Sequence, residues 1–143
     1  MPGFGEDSLS LICTEDMYPF RFAALSTSGV GKVSLAGNGS VPLGITPAGS
    51  ARVPLEALDT GILAFNGSSV GIIRDPAKKV KLTLAANCTI GDFLKPETGG
   101  TGKGTPVTGN GTHFYGAIAL ENNTLGANTT IDVLPAFGVY KIG

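Results

Sequence analysis

The stretch Val80-Lys81-Leu82-Thr83-Leu84-Ala85 has the most regular alternation of side chains in the sequence. Its apolar residues recur at every second position, and successive side chains of a β-strand point to opposite faces. Such a strand buries its apolar face and leaves the other face in water. The stretch therefore predicts a half-buried β-strand.

Similar short alternations occur around this stretch, at residues 8–13, 20–22, 33–35 and 130–134. Glycine occurs 22 times and proline 9 times in 143 residues, so the chain is interrupted often. Short apolar runs between many turn residues are typical of all-β domains. Helical periodicity supports one turn at most, at residues 54–59. We predict an all-β fold, as a small antiparallel β-barrel or a sandwich-like domain.

One turn is predicted in detail, at Asn66-Gly67. An Asn-Gly pair adopts the positive backbone angles of a type I′ turn at low cost, and this turn joins antiparallel strands. We therefore expect residues 61–65 and 68–73 to pair as a hairpin.

A short motif occurs twice, as Gly37-Asn38-Gly39-Ser40 and as Gly109-Asn110-Gly111-Thr112. Gly44 and Gly116 share the same offset of 72 residues. The pattern predicts a turn followed by a strand that has a glycine at a bulge or at a close backbone approach. Duplication of a small β unit explains it, and chance matching in a glycine-rich chain is the rival explanation.

The domain organisation follows from composition. Residues 1–7 are predicted to be a flexible N-terminal arm. Residues 95–106 carry no apolar side chain apart from two prolines, which predicts an exposed, mobile, glycine-rich loop. Residues 8–143 then form one β domain, or two linked β lobes at 8–94 and 107–143. One compact body is favoured, because neither half is expected to bury a core alone.

The sequence has little material for catalysis. His113 is the only histidine, so a metal site has no histidine pair, and no nucleophile elbow accompanies it. Gly102-Lys103-Gly104 lacks the hydroxyl residue that a P-loop needs after its lysine. The carboxylates are scattered along the chain. We expect no enzyme activity, no catalytic residue, no cofactor and no bound metal.

Charge and hydropathy exclude two classes of partner. The formal net charge is −1, which gives no general attraction to nucleic acid. No run approaches the roughly 18 apolar residues of a membrane span, and no signal peptide is recognised. The chain is thus expected to be made in a cytoplasm. There, Cys13 and Cys88 are expected to be buried thiols, with a single disulfide as the less favoured alternative.

The second half resembles a known family. Val107-Thr108-Gly109-Asn110-Gly111 leads into Tyr115-Gly116-Ala117-Ile118-Ala119-Leu120-Glu121-Asn122, and Leu125-Gly126-Ala127 and Ile131-Asp132-Val133-Leu134 follow. This order of glycine turn, small-residue strand, second turn and β-branched strand resembles the small head-decoration (cement) proteins of tailed bacteriophages. The resemblance covers about a third of the chain.

The resemblance implies a capsid-stabilising protein with no catalytic residues. It would be made in the host cytoplasm and would sit on the outer capsid surface of the virion as a homotrimer, bridging neighbouring major capsid proteins. Two alternatives stay open, a phage tail or fibre β-module and a carbohydrate-binding β-domain. The latter usually needs exposed aromatic platforms, and this chain has no tryptophan and three tyrosines.

Flexible segments can become ordered on binding and extend a contact, so the arm and the glycine-rich loop are the candidate capsid-contacting segments. The candidate residues in the arm are Pro2, Gly3, Phe4, Glu6 and Asp7. Those in the loop are Pro96, Thr98, Thr101, Lys103 and Pro106.

Overall fold

The computed structural model describes residues 8–37, 39–48 and 62–143. Within these residues the chain forms β-strands and no helix, which confirms the all-β prediction, and so no helix there could cross a membrane. The predicted arm at residues 1–7 and the predicted helical turn at residues 54–59 lie outside the described residues. The strands are β1 (Ser8–Cys13), β2 (Phe22–Leu25), β3 (Lys32–Leu35), β4 (Gly44–Ile45), β5 (Ser69–Ile73), β6 (Val80–Leu84), β7 (Phe93–Pro96), β8 (Gly104–Pro106), β9 (Gly111–Ala119) and β10 (Thr129–Ile142).

The strands close into two barrels of the same topology. The first barrel has the order β1-β3-β2-β4-β5, and the second has the order β6-β8-β7-β9-β10. In each barrel the first strand pairs parallel with the third and antiparallel with the fifth. The other pairs are antiparallel, as predicted. The shared topology supports duplication of a five-stranded unit as the origin of the repeated Gly-Asn-Gly-Ser/Thr motif.

The boundary between the barrels lies at residues 74–79, between β5 and β6. The predicted boundary in residues 95–106 is wrong, because β7 ends there and β8 lies wholly inside that segment. Pro96, Gly102 and Gly104 are buried, so only the tip of the predicted loop is exposed. The glycines of this segment, which suggested a mobile loop, instead let it pack closely against the first barrel.

Two local predictions had different outcomes. The alternation at residues 80–84 forms β6, with Leu82 and Leu84 fully buried and Lys81 exposed. The turn at Asn66-Gly67 exists, but only Gly67 has a positive φ (90°), so it is not a type I′ turn. Its flanks do not form a hairpin, because β5 pairs with β1 and β4.

Two clusters of buried side chains form the core. The smaller cluster fills the first barrel. The larger cluster combines residues of both barrels and therefore crosses the seam between them. Its first-barrel members are Phe22, Ala24, Ala36 and Ile45, and its second-barrel members are Leu82, Leu84, Cys88, Leu94, Ala117, Ala119, Ile131 and Val133.

Main-chain hydrogen bonds also cross the seam. The Thr83 amide donates to the Phe20 carbonyl oxygen at 2.8 Å, and the Phe22 amide donates to the Gly102 carbonyl oxygen at 2.6 Å. Residues 20–22 thus lie between β6 and the segment that leads into β8. They fill a gap there, because β6 and β8 pair with each other only at Leu84 and Gly104. A Cβ on Gly104 would lie 3.4 Å from Cε2 of Phe22, so the ring enters the second barrel beside this glycine. The first barrel therefore completes the wall and the core of the second.

Candidate docking surface

One end of the second barrel is built from two loops, residues 85–92 between β6 and β7 and residues 120–128 between β9 and β10. We call this end the second-barrel tip. Its loops are joined by a two-way backbone bridge: the Cys88 amide donates to the Asn123 carbonyl oxygen at 3.1 Å, and the reverse bond is 3.0 Å long. The two loops therefore form one unit.

Asparagine side chains fix the backbone of the tip. Asn123 is 2% exposed; its Nδ2 donates to the carbonyl oxygens of Ala86 and Gly126, both at 3.0 Å. Its Oδ1 accepts the Leu125 amide at 3.0 Å. Asn amides satisfy loop backbone in this way in place of a strand partner. The bonds order the tip without any regular secondary structure.

Two more asparagines act at the edges of the tip. Oδ1 of Asn122 accepts the Ile90 amide at 2.7 Å, and Oδ1 of Asn87 accepts the Gly126 amide, also at 2.7 Å. Each bond reaches from one loop to the other. The positions of Ile90 and of the turn at Gly126 are therefore set by the opposite loop.

The tip presents two large apolar side chains to solvent. Ile90 is 59% exposed and Leu125 is 81% exposed. The nearby carboxylates are occupied by backbone amides, since Asp92 accepts from Thr89 at 2.8 Å and Glu121 accepts from Asp132 at 2.8 Å. Apolar side chains at the centre and few charges are the pattern of a protein-protein contact. A fixed backbone also lowers the entropy that is lost on binding.

The tip contains no reactive thiol. Cys88 is buried, and burial raises the pKa of its thiol, with Asp92 and Glu121 adding to the rise. A neutral, buried thiol is a poor nucleophile. Cys13 in the first barrel is also buried, and its Sγ donates to the Phe65 carbonyl oxygen at 3.1 Å. Both cysteines are free, as expected from the sequence.

Other exposed apolar residues include Leu25, Val30 and Phe65 of the first barrel. Leu25 and Val30 are exposed at the β2–β3 turn, which belongs to a different loop system from the tip. Phe65 is exposed beside the Asn66-Gly67 turn, where the Asn66 amide donates to Oδ1 of Asp16 at 2.9 Å. Substitutions at these positions can therefore serve as controls for substitutions in the tip.

The predicted contact residues of the loop occupy varied environments. Thr98 is exposed, and Pro96 is buried in β7. Thr101 donates from its hydroxyl to Oε2 of Glu97 at 2.5 Å, and Lys103 donates to Oδ1 of Asn128. Pro106 is half-buried in β8. The five residues are not gathered on one open surface, and the predicted contact with a capsid stays a prediction.

The predicted contact residues of the arm, Pro2, Gly3, Phe4, Glu6 and Asp7, lie outside the described residues. Among the residues that the structure describes, no group of three or more His, Cys, Asp or Glu side chains could hold a metal ion. The absence of enzyme activity stays an expectation from the sequence.

Ile90 and Leu125 were not identified from the sequence. Each is an isolated apolar residue in a segment rich in asparagine, threonine and glycine. Asparagine, threonine and glycine predict turns and give no reason to single out an apolar residue among them. The density of Asn87, Asn122 and Asn123 around them is the signal that points to an ordered loop.

No protein-family model matches the chain, and no curated protein matches it. Among solved structures, the fold is similar to that of the head fiber gp8.5 N base of bacteriophage phi29. The TM-score is 0.61 at 15% sequence identity, and the match covers 90% of this chain and 92% of the other. At this identity the likeness concerns the fold, and it spans both barrels.

Proposed function

We propose that the chain is a structural protein of a bacteriophage particle, attached to the outside of the head through the second-barrel tip. The observation that carries the proposal is the ordered tip with Ile90 and Leu125 exposed on a backbone held by asparagines. The likeness in fold to a phage head fiber base supports the same class of protein. The resemblance of the second half to head-decoration proteins agrees with it.

More specifically, we propose that the chain is a decoration protein that bridges neighbouring major capsid proteins as a homotrimer. The contacts across the seam support this form, because two barrels that share a wall and a core can transmit load between attachment points. Many copies on one shell let modest individual contacts add together. No cofactor, nucleic acid or membrane is required.

A second candidate is a fibre module, in which the two barrels form the base and a further segment projects from the head. The observation that favours it is the fold likeness to the phi29 head fiber base. A carbohydrate-binding role is less well supported, because the exposed apolar residues of the tip are aliphatic. Sugar-binding surfaces usually use aromatic rings.

The proposal is tested with the double variant Ile90→Ser/Leu125→Ser. Heads of the parent phage that lack this protein are incubated with the purified chain, sedimented and assayed for occupancy. Full burial of one such side chain contributes about 1.5–3 kcal/mol. We therefore expect the double variant to bind at least about tenfold more weakly.

The matched control is Leu25→Ser/Val30→Ser, which removes two exposed apolar side chains from the β2–β3 turn of the first barrel. It should bind heads like the wild type. Equal loss in both double variants, or no loss in the tip variant, would rule out the tip as the attachment surface. Electron cryomicroscopy of the particle then separates a decoration protein from a fibre base and from a tail component.

Deletion of residues 1–7 tests the arm separately. It should reduce occupancy on heads while leaving the unfolding midpoint unchanged, because a flexible terminal arm is expected to contribute little to stability. Unchanged occupancy would remove the arm from the contact surface without affecting the assignment of the tip.

A further inference from the structure

A crevice of about 140 Å³ opens at the seam between the barrels. Its first-barrel side is formed by Gly39 and Ser40, and its second-barrel side by Lys95, Pro96, Thr112, His113 and Phe114. Both copies of the Gly-Asn-Gly-Ser/Thr motif contribute to it. Ser40 and Thr112 are the corresponding last residues of the two copies, so the duplication has placed two equivalent hydroxyl residues at one crevice.

Lys95 and His113 set the electrostatics of the crevice. Nζ of Lys95 lies 3.0 Å from Nδ1 of His113, and Nε2 of His113 lies 3.0 Å from the Gly109 carbonyl oxygen. A carbonyl oxygen only accepts, so Nε2 carries the proton and Nδ1 accepts from the ammonium group. This contact uses one of the three donors of Lys95. The other two have no partner among the described residues.

The hydroxyl groups of the crevice are also able to donate. Oγ of Ser40 accepts the Gly37 amide at 3.1 Å, and its own proton has no acceptor within the described part of the chain. The Thr112 hydroxyl has no hydrogen-bond partner among those residues. No carboxylate lines the crevice. The crevice therefore offers one positive charge and several donors, with no negative charge to neutralise them.

We propose that this crevice binds a small oxyanion group, a carboxylate, sulfate or phosphate. The Lys95 ammonium group supplies the charge, and the hydroxyls of Ser40 and Thr112 donate to the oxygens. Lysine binds such groups as a point charge, and charge-assisted hydrogen bonds are stronger than neutral ones. The source is a free inorganic anion or an acidic side chain of a docked protein. This inference does not depend on the proposed function.

The test uses the full chain and NMR titration with sodium sulfate and with sodium acetate, at ionic strength held constant with chloride. Saturable shifts are expected at the amides of Gly39, Ser40 and Thr112 and at the His113 ring, with affinity roughly in the millimolar range. Saturation with sulfate supports an inorganic anion as the ligand. Saturation with acetate alone supports a side-chain carboxylate.

Lys95→Met should weaken the binding by about tenfold or more, because it removes the charge. The control is Lys141→Met, which removes the same charge from the residue that pairs with Thr112 across β9 and β10 but does not line the crevice. The anion affinity of this variant should stay within about twofold of the wild-type value. Ser40→Ala is a second, conservative variant that should weaken binding even if Lys95→Met disturbs the fold. Linear, unsaturated shifts, or shifts that persist in both crevice variants, would overturn the proposal.

Discussion

Phe22 of the first barrel and Gly116 of the second lie so close that a Cβ at position 116 would sit 2.7 Å from Cε1 of Phe22. The same Cβ would lie 2.9 Å from Cβ of Pro42. A ring on one barrel is therefore accommodated by the absence of a side chain on the other. The glycine at this place is required by these two close contacts, because its φ is not in the left-handed region.

The first prediction concerns this contact. Gly116→Ala should lower the free energy of unfolding by about 1–3 kcal/mol, because an added methyl overpacks the seam. The measurement is urea denaturation. The control is Gly71→Ala in β5, where a Cβ would meet no heavy atom within 4 Å. It should change stability by no more than about 0.5 kcal/mol in the destabilising direction.

A double variant identifies the cause of that loss. Phe22→Leu replaces the ring that meets position 116 by a shorter side chain. The double variant Phe22→Leu/Gly116→Ala should therefore lose less stability than the sum of the losses in the two single variants. Additive losses would show that the methyl group at position 116 is resisted by something other than Phe22.

The second prediction concerns the asparagines of the tip. Asn123→Asp removes both N–H donors of a buried side chain from the half-buried carbonyl oxygens of Ala86 and Gly126, and should destabilise the fold by about 1–3 kcal/mol. Asn122→Asp is the control, because Asn122 is exposed and only accepts, from the Ile90 amide. It should leave stability nearly unchanged. Equal effects on thermal unfolding would contradict the role given to Asn123.

The third prediction concerns acid stability. The hydrogen bond from the Thr101 hydroxyl holds the pKa of Glu97 below its ordinary value of 4.5, and the Gly99 amide and the charges of Lys103 and Arg21 act in the same direction. A lowered folded-state pKa gives stability that is present above pH 4.5 and is lost as the pH falls through the folded value. Thr101→Val should raise the pKa of Glu97 and reduce this contribution.

The measurement is unfolding free energy as a function of pH for Thr101→Val and the wild type. The difference between them should be largest above pH 4.5 and should shrink in more acidic solution. Thr98→Val is the control, since Thr98 is exposed and has no such bond to Glu97. A difference that is the same at every pH would mean that packing, and not Glu97, is affected.

The fourth prediction concerns Cys88. Because burial raises the pKa of its thiol, the native chain should react with a thiol reagent such as Ellman's reagent far more slowly than the unfolded chain does. Thr89→Cys places a thiol at the next, exposed position and should react quickly in the native state. Fast labelling of native Cys88, located by mass spectrometry, would show that the tip opens readily.

Features that depend on nearby residues are predictable from the sequence. The alternation at residues 80–84 predicted β6 correctly, and the repeated motif indicated a duplication that the matching topologies of the barrels support. These signals are local, or they repeat at a fixed offset. Both kinds are readable without knowing which strands pair.

Features that depend on distant partners were missed. Phe20 and Phe22 were interpreted as one face of a strand, but Phe20 has a φ of 61° and β2 begins only at Phe22. Their partners at Thr83 and Gly102 lie more than sixty residues away. The prediction of an exposed loop at residues 95–106 is wrong for the same reason, because nothing nearby in the sequence shows that Gly102 and Gly104 face the first barrel.

The shared wall also has a consequence for how the chain is made. A fragment that starts at Val80 would lack the main-chain groups of residues 20–22, and a gap would remain between β6 and the approach to β8. The N-terminal half emerges from the ribosome first, so residues 20–22 are already available when the C-terminal strands emerge. We therefore expect that the C-terminal half, made as a separate fragment, recovers its native state only when the N-terminal half is present.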